Sequence, residues 1–455
     1  ARDADTGIDA PLLGTTNDLE RVIRDERVDR VLLAIPAAMH LLSAALTERA
    51  EHAGASAHWL APLSDTLAGR TGGTPGVLDL ASLIGRSARP VDGALVRSVV
   101  ARKRVLITGA GGSIGSEITR IVAAHDPEEV ILMERSENAL FEIDRELGSA
   151  GVPRRAVLHD VVDSPRTLAL MRQLRPHAVF HAAAHKHVPM METHPGAAIT
   201  NNVFGTKSVL DGALAADAER FVFVSTDKAV HPTSVMGATK RLAELYVRSR
   251  AEDSATRCSL VRFGNVLGSA CSVLPIWDRQ IARGEAITVT DERMTRYFMT
   301  IPEAASLVIQ SAGVPQGDEA GVYVLDMGEP IRIADLAQRL LEQRGVAGGV
   351  GIAVTGARPG EKLYEELAYS TEQLAQTAVP GVRAWAGSTP ERGAIDAMIG
   401  RLDAARSDAS PERVVEAIVS CVPEMRRDAD APTGARVVTR SEIPSTSRAG
   451  ASHAA

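Results

Sequence analysis

Thr108-Gly109-Ala110-Gly111-Gly112-Ser113-Ile114-Gly115 lies between the apolar run Val105-Leu106-Ile107 and the helically spaced Glu117-Ile118-Thr119-Arg120-Ile121-Val122. A buried strand, a glycine turn and a helix start are what a dinucleotide pyrophosphate requires. Gly109 permits the tight turn, Gly112 lets backbone approach the phosphates, and Gly115 lets helix and strand pack closely. Ser113 and Ile114 open the helix, whose free N–H groups and positive dipole end suit an anion. Glu134 ends the next apolar run, Val130-Ile131-Leu132-Met133. An acidic side chain there can hold the ribose hydroxyls. It would repel a 2′-phosphate and favour NAD, whereas Arg135 beside it would accept that phosphate and favour NADP. The balance leans to NAD.

Outward from this stretch, strand-like runs recur at Val105–Thr108, Val130–Met133, Ala156–Leu158, Ala178–His181, Phe221–Ser225 and Ser259–Phe263. Helical spacing fills the gaps, as in Pro165–Leu174 and Val203–Leu214. This alternation predicts an α/β fold, a doubly wound parallel sheet of the Rossmann kind over residues 101–267. Residues 268–385 loosen into short mixed elements, predicting a smaller α/β region that shapes a substrate pocket. A helical segment follows over 386–426. The Ser-, Thr-, Ala-, Arg- and Pro-rich stretch 427–455 is expected to be disordered.

Upstream, Asp18–Ile23 and Met39–His52 read as helices, and Val28–Ile35 and Ala57–Leu60 as strands. Without a glycine turn, they suggest a partial nucleotide-fold-like domain over 1–78, its end (65–78) a loop, joined by a connector at 79–100.

The bulk numbers bound the rest. The chain has 455 residues, enough for two or three cores. With 45% apolar and 24% charged residues it is ordinary globular protein. The net charge of −7 leaves no electrostatic footprint for nucleic acid. Cys258, Cys271 and Cys421 are scattered, so no disulfide framework is expected and a reducing compartment is the simpler reading. No stretch is long and apolar enough to span a bilayer, and no signal peptide is visible. The chain begins at Ala1 without an initiator Met and is read as a possible fragment. His181, His185, His187 and His194 lack a supporting carboxylate or Cys pattern, so no metal is expected.

Phe221-Val222-Phe223-Val224-Ser225-Thr226-Asp227-Lys228 is an apolar strand ending in polar residues. Ligands bind beyond the carboxyl ends of parallel strands, which puts these residues at a cofactor crevice. Met236-Gly237-Ala238-Thr239-Lys240 follows. Here the chain resembles the extended short-chain dehydrogenase/reductase superfamily, in which a Ser or Thr at this strand end joins Tyr-x-x-x-Lys on the next helix. Met236 stands in the tyrosine position and can neither take nor give a proton. That departure is similar to the polysaccharide-biosynthesis branch of nucleotide-sugar 4,6-dehydratases. So are His181-Ala182-Ala183-Ala184-His185-Lys186-His187-Val188-Pro189, Val261–Ser269, Thr295–Thr300 and Arg358-Pro359-Gly360-Glu361-Lys362-Leu363-Tyr364.

The resemblance implies an NAD- or NADP-dependent lyase. It would oxidise C4 of a UDP-sugar, UDP-N-acetylglucosamine first among them, eliminate water across C5 and C6, and return the hydride to C6, for surface polysaccharide. Asp227 would be the acid and Lys228 the base. Those roles need a raised carboxyl and a lowered amine pKa, which burial favours and mutual ion pairing opposes. Asp227 and Lys228 as an exposed loop pair is the alternative. Thr226, a water or Lys240 would take the C4 hydroxyl proton. Ala182, Ala183, Asp160 and Val161 would contact the coenzyme, the last two at its adenine. Lys186 and His187 face sugar or cofactor. Asn265, Arg296, Arg358 and Glu361 would hold the nucleotide diphosphate end, where the guanidinium fork suits a diphosphate. Asn202 would tie neighbouring strands together. The resemblance further implies a homo-oligomer and a cytoplasmic location, as the cytoplasmic part of an inner-membrane protein whose membrane segments lie upstream. An epimerase and a non-catalytic sugar-nucleotide scaffold are the rival readings.

Overall fold

The computed structural model describes residues 13–33, 46, 49–50, 52–59, 80–85, 89, 91–252, 254–315, 320–346, 348–370, 372–385, 387–426 and 436–438. Its centre is a nine-stranded sheet. In chain order the strands are β1 (Arg104–Thr108), β2 (Glu129–Glu134), β3 (Arg154–Leu158), β4 (Ala178–His181), β5 (Arg220–Val224), β6 (Arg257–Arg262), β7 (Gly321–Leu325), β8 (Ala375–Gln376) and β9 (Val382–Trp385). They lie in the order β3-β2-β1-β4-β5-β6-β7-β9-β8. All pairings from β3 to β7 are parallel, and β9 and β8 add an antiparallel edge. The order reverses between β1 and β4, which opens a crevice at their carboxyl ends.

Strand residues alternate between two cores because successive side chains point to opposite faces. Leu106, Ile131, Met133, Phe221 and Phe223 pack on one side, against α3 (Ser164–Leu174), α4 (Gly205–Ala215) and α5 (Val235–Ala251). Val105, Ile107, Val130, Leu132 and Val222 pack on the other, against α1 (Ser113–Ala123), α2 (Glu137–Ser149) and α6 (Ile301–Ser311). Burial on both faces explains why β1 and β2 read as unbroken apolar runs rather than as alternation. The helices at Arg392–Ala405 and Pro411–Cys421 add Ile395, Met398, Leu402, Val414 and Ile418 to the first core. The doubly wound α/β expectation therefore holds.

A third core lies over the crevice. Leu267, Leu274, Trp277, Ile287, Phe298 and Leu336 form it from the short elements after β6. Residues 79–100, read as a connector, are in part helical: Leu80–Ile84 and Gly93–Val100. Asp92 caps the second by accepting from the Ala94 and Leu95 N–H groups, at 3.0 Å each. Leu83, fully buried, drops into the third core, and its carbonyl accepts from Arg339 Nη1 at 2.9 Å.

Upstream, the helix Leu19–Asp25 and the parallel strands Arg30–Leu33 and Ser56–Trp59 match the expected helix and strands, with ends moved by one or two residues. Most of the helix read at Met39–His52, and the loop at 65–78, lie outside the described residues. Within the stretch read as disordered, Arg436–Val438 instead pairs antiparallel with Ile352–Val354. The rest of 427–455 lies outside the described residues.

Candidate active site

The glycine turn is closed by backbone. Gly109 has φ +66°, and its N–H donates to Met133 O at 2.9 Å. A Cβ at Gly109 would stand 2.8 Å from Ala183 N, and one at Gly115 would collide with the Gly109 carbonyl. Only glycine fits either place, and α1 begins directly behind with Gly112 as its N-cap. Such a cradle, with the first N–H groups of a helix unpaired within it, fits a diphosphate.

Glu134 holds the turn from the side. One carboxylate oxygen accepts from Gly111 N–H at 3.2 Å, and the other from Arg135 and Ser136 N–H at 3.0 Å each. Arg135 reaches Asp160 at 3.8 Å and Asn201 Oδ1 at 3.4 Å. Val161 is buried in the first core beside Gly205, so it shapes the wall through packing.

A cleft of about 940 Å³ runs from this turn across the carboxyl ends of β4, β5 and β6. That is the upper range of ligand cavities. Gly112, Ser113, Ile114, Gly115 and Ala182 line one end. Thr226, Lys228, Met236, Lys240 and Asn265 line the middle, and Arg296, Arg358 and Glu361 the far side. Lys186 and His187 also face it, and Lys186 Nζ donates to Ala270 O at 3.0 Å. Burial holds the Lys186 ammonium and the His187 imidazole below their usual pKa values. Gly109, Ala183, Glu134, Arg135, Asp160 and Val161 stand behind the lining rather than in it.

The chain turns after β5, as two-sided access requires. Asp227–Ala229 is a single 3-10 turn capped by Thr226, whose hydroxyl accepts from Lys228 N–H at 3.4 Å. The turn folds Lys228 Nζ back onto Asp227 Oδ1 at 3.0 Å, and Nζ also donates to Asn265 Oδ1 at 3.2 Å. Asp227 is fully buried and accepts a 2.9 Å bond from the Thr226 hydroxyl. Lys228 lines the cleft, whereas Asp227 lies behind it.

The expected lowering of the Lys228 amine is not what the structure shows. Burial pushes it down, but the Asp227 and Glu365 carboxylates together outweigh burial, and the net shift is upward. Glu365, unmarked by the sequence reading, lies 3.5 Å from Lys228 Nζ. Its signal was the acidic pair Glu365-Glu366, one residue past the quoted Arg358–Tyr364 stretch.

Met236 is buried and shares the cleft wall with Lys240, one helical turn on. Lys240 Nζ donates to Val224 O at 2.6 Å and lies 4.0 Å from the Phe223 ring centroid. Burial lowers its pKa to about 7. Arg358 and Arg296 on the cleft wall already have partners within the protein. Arg358 is exposed and its Nη2 donates to Glu361 Oε1 at 2.8 Å, so these two are first of all partners of each other. Arg296 is buried with its fork on backbone, donating to Thr295 O at 2.7 Å and Lys362 O at 2.8 Å. Asn202 ties a loop to a helix and not strand to strand. It accepts from His185 N–H at 2.8 Å and donates to Thr239 Oγ1 at 3.1 Å.

His181 bridges Thr108 Oγ1 at 2.7 Å and Thr206 Oγ1 at 3.0 Å, and burial lowers its pKa to about 3. It is a neutral structural histidine. Among the described residues no cluster of His, Cys, Asp and Glu could hold a metal ion. No helix among them is long and apolar enough to cross a membrane.

Comparison with known proteins agrees with this architecture. The capsular polysaccharide biosynthesis protein CapD of Staphylococcus aureus is 43% identical over 365 residues, 79% of this chain and 61% of that protein. The probable polysaccharide biosynthesis protein EpsC of Bacillus subtilis is 42% identical over 379 residues, 82% of this chain and 63% of that protein. The chain thus spans less than two thirds of either relative. An inverting UDP-N-acetylglucosamine 4,6-dehydratase of Campylobacter jejuni is 32% identical over 276 residues, 60% of this chain and 79% of that protein. Among solved structures, Pen from Bacillus thuringiensis superposes with a TM-score of 0.60 at 33% identity, over 65% of this chain and 92% of its own. A family model described as polysaccharide biosynthesis protein matches residues 105–385, from β1 through β9. The chain belongs to that family.

Proposed function

We propose that this chain is a nicotinamide-dependent nucleotide-sugar 4,6-dehydratase acting on a UDP-sugar, with UDP-N-acetylglucosamine the first choice. The observation that carries the reading is one cleft joining the glycine cradle to Lys228, Lys240 and Asn265. The similarity to the Campylobacter jejuni dehydratase supports the choice of sugar nucleotide. Gly112, Ser113 and the α1 N-terminus would hold the coenzyme diphosphate, and Glu134 the ribose, which favours NAD. The coenzyme held there would supply a hydride acceptor for C4 of the sugar and a hydride donor for C6.

The protein's own part is proton traffic. Lys240, half neutral near pH 7, takes the C4 hydroxyl proton in place of the missing tyrosine. A ketone at C4 acidifies C5. Lys228 becomes a base when its proton moves 3.0 Å to Asp227 Oδ1. Lys228 then takes the C5 proton and gives it to the departing C6 hydroxyl. The Asp227 proton returns to Lys228 and restores the resting pair. Once C6 carries the returned hydride, C5 takes a proton from water, and Lys240 gives the C4 hydroxyl proton back to water. Asp227 is the acid of the pair, acting through Lys228 because only Lys228 lines the cleft.

The test is mass spectrometry of products from UDP-N-acetylglucosamine and other sugar nucleotides in deuterated water. A product lighter by one water with deuterium at C5 is expected. A product of unchanged mass selects an epimerase. Binding without turnover selects a scaffold. Either result ends the dehydratase reading.

A further inference from the structure

Glu365 stands at the centre of a ring of cations. Its Oε1 is 3.5 Å from Lys228 Nζ and 3.7 Å from Arg296 Nε, and its Oε2 is 4.0 Å from Lys362 Nζ. The side chain is 2% exposed. Oε2 is fully buried and accepts no hydrogen bond, and neither does Asp227 Oδ2. A carboxylate this deep is costly unless cations hold it. Here all three cations face the pocket that Lys186, His187 and Asn265 also line. Glu365 belongs to the loop that carries Arg358, Glu361 and Lys362, so it joins that loop to the turn after β5.

We propose that Glu365 is a positioning residue of the acid–base pair: with Asp227 it clamps the Lys228 ammonium, and it makes the charge of Lys228 depend on the docked 358–372 loop. This deepens the dehydratase reading and, for its catalytic meaning, rests on it. The charges around Lys228 can be counted. Asp227 and Glu365 favour its protonated form, and Arg296 opposes it. Lys362 reaches the same carboxylate, and Glu366 lies beyond, paired with His231 at 2.7 Å. Removing the Glu365 charge leaves Lys228 with one carboxylate against Arg296 and the desolvation already present, so its neutral fraction rises.

The test needs neither coenzyme nor sugar. The purified chain is labelled with trace acetic anhydride across a pH series, and acetylation of Lys228 is read by peptide mass spectrometry. Only the neutral amine reacts. Glu365→Gln should raise the labelling rate at neutral pH by about ten-fold, since a charge at this range moves a pKa by about one unit or more. Glu365→Asp, which keeps the charge but draws it back, should fall between Gln and wild type. Glu366→Gln should label Lys228 at the wild-type rate. A wild-type rate in folded Glu365→Gln overturns the clamp; if that variant does not fold, a wild-type rate in Glu365→Asp does so.

Turnover separates this from the broader reading. If dehydration occurs, Glu365→Gln should lower kcat about ten- to a hundred-fold, with the pH profile displaced to lower pH. If labelling responds to Glu365 and no dehydrated product forms, the clamp stands and the dehydratase reading falls. If product forms and labelling does not respond, the reverse holds.

Discussion

Lys240 Nζ donates a 2.6 Å hydrogen bond to the Val224 carbonyl, one residue before the polar end of β5. No carboxylate hydrogen-bonds to this amine among the described residues, and it sits on the Phe223 ring face. Its pKa of about 7 compares with an ordinary lysine value of 10.5. The unfolded chain therefore binds the extra proton between those two values. Stability should rise with pH from about 7 to 10.5, and the penalty is fully present below 7. Chemical denaturation of wild type and Lys240→Met across that range checks it. The variant should show a shallower slope, Lys186 and Lys362 being held below their usual values too, and dehydration should fall about 10²- to 10⁴-fold if Lys240 takes the C4 proton.

His181 makes a similar statement on the acid side. Its pKa of about 3 lies below the ordinary 6.5, so folding favours the neutral ring. Stability should drop as pH falls from 6.5 towards 3. Glu244, lowered to about 2 from 4.5 despite its burial by Arg262, Arg241 and Ser225, loses its own contribution only below about 4.5. In the interval from 4.5 to 6.5 His181 acts together with His159, His185 and His187, which burial also holds below their usual values. His181→Gln should make the pH dependence of the denaturation midpoint shallower across that interval.

Arg262 is a cation buried between two carboxylates. It is fully buried, with Nε and Nη2 on Glu244 at 2.7 Å each and Nη1 on Glu372 at 2.8 Å. Arg262→Met leaves two buried carboxylates facing each other. The expected loss is about 3–5 kcal/mol of stability. Arg262→Lys should recover only part of it, because an ammonium cannot serve both carboxylates with a planar fork. Urea denaturation distinguishes the two variants.

The glycines separate by position. Gly115→Ala should abolish coenzyme binding, because the new Cβ meets the Gly109 carbonyl. Gly400→Ala, on an exposed helical site with nothing within 4 Å, should raise stability by about 0.5–1 kcal/mol and leave binding alone. Isothermal titration with NAD and thermal melts check both.

The sheet was legible because its strands are buried on both faces and the glycine turn admits few other uses. Element ends drifted by at most two residues, where cap geometry rather than apolar spacing decides. The site was legible as a set of residues but not as a set of partnerships. Nothing in the spacing of Arg358 and Glu361 says that they satisfy each other. Nothing in Asp227-Lys228 says which of them reaches the cleft. Glu365 escaped because its meaning comes from three cations, two of them supplied by other segments, the turn after β5 and the strand Thr295–Arg296, and one by its own loop. The helix Leu80–Ile84 escaped because five residues are too few to show a period.

That short helix gives the stretch ahead of the nine-stranded sheet a structural role. Leu83 is a stopper set into the roof of the cleft, and Leu80 Cδ1 approaches Gly268, where the chain leaves the strand Asn265–Leu267. A chain trimmed at residue 100 would keep every cleft-lining side chain and still have a hole in its ceiling. The stretch ahead of the sheet therefore contributes to the core above the cleft.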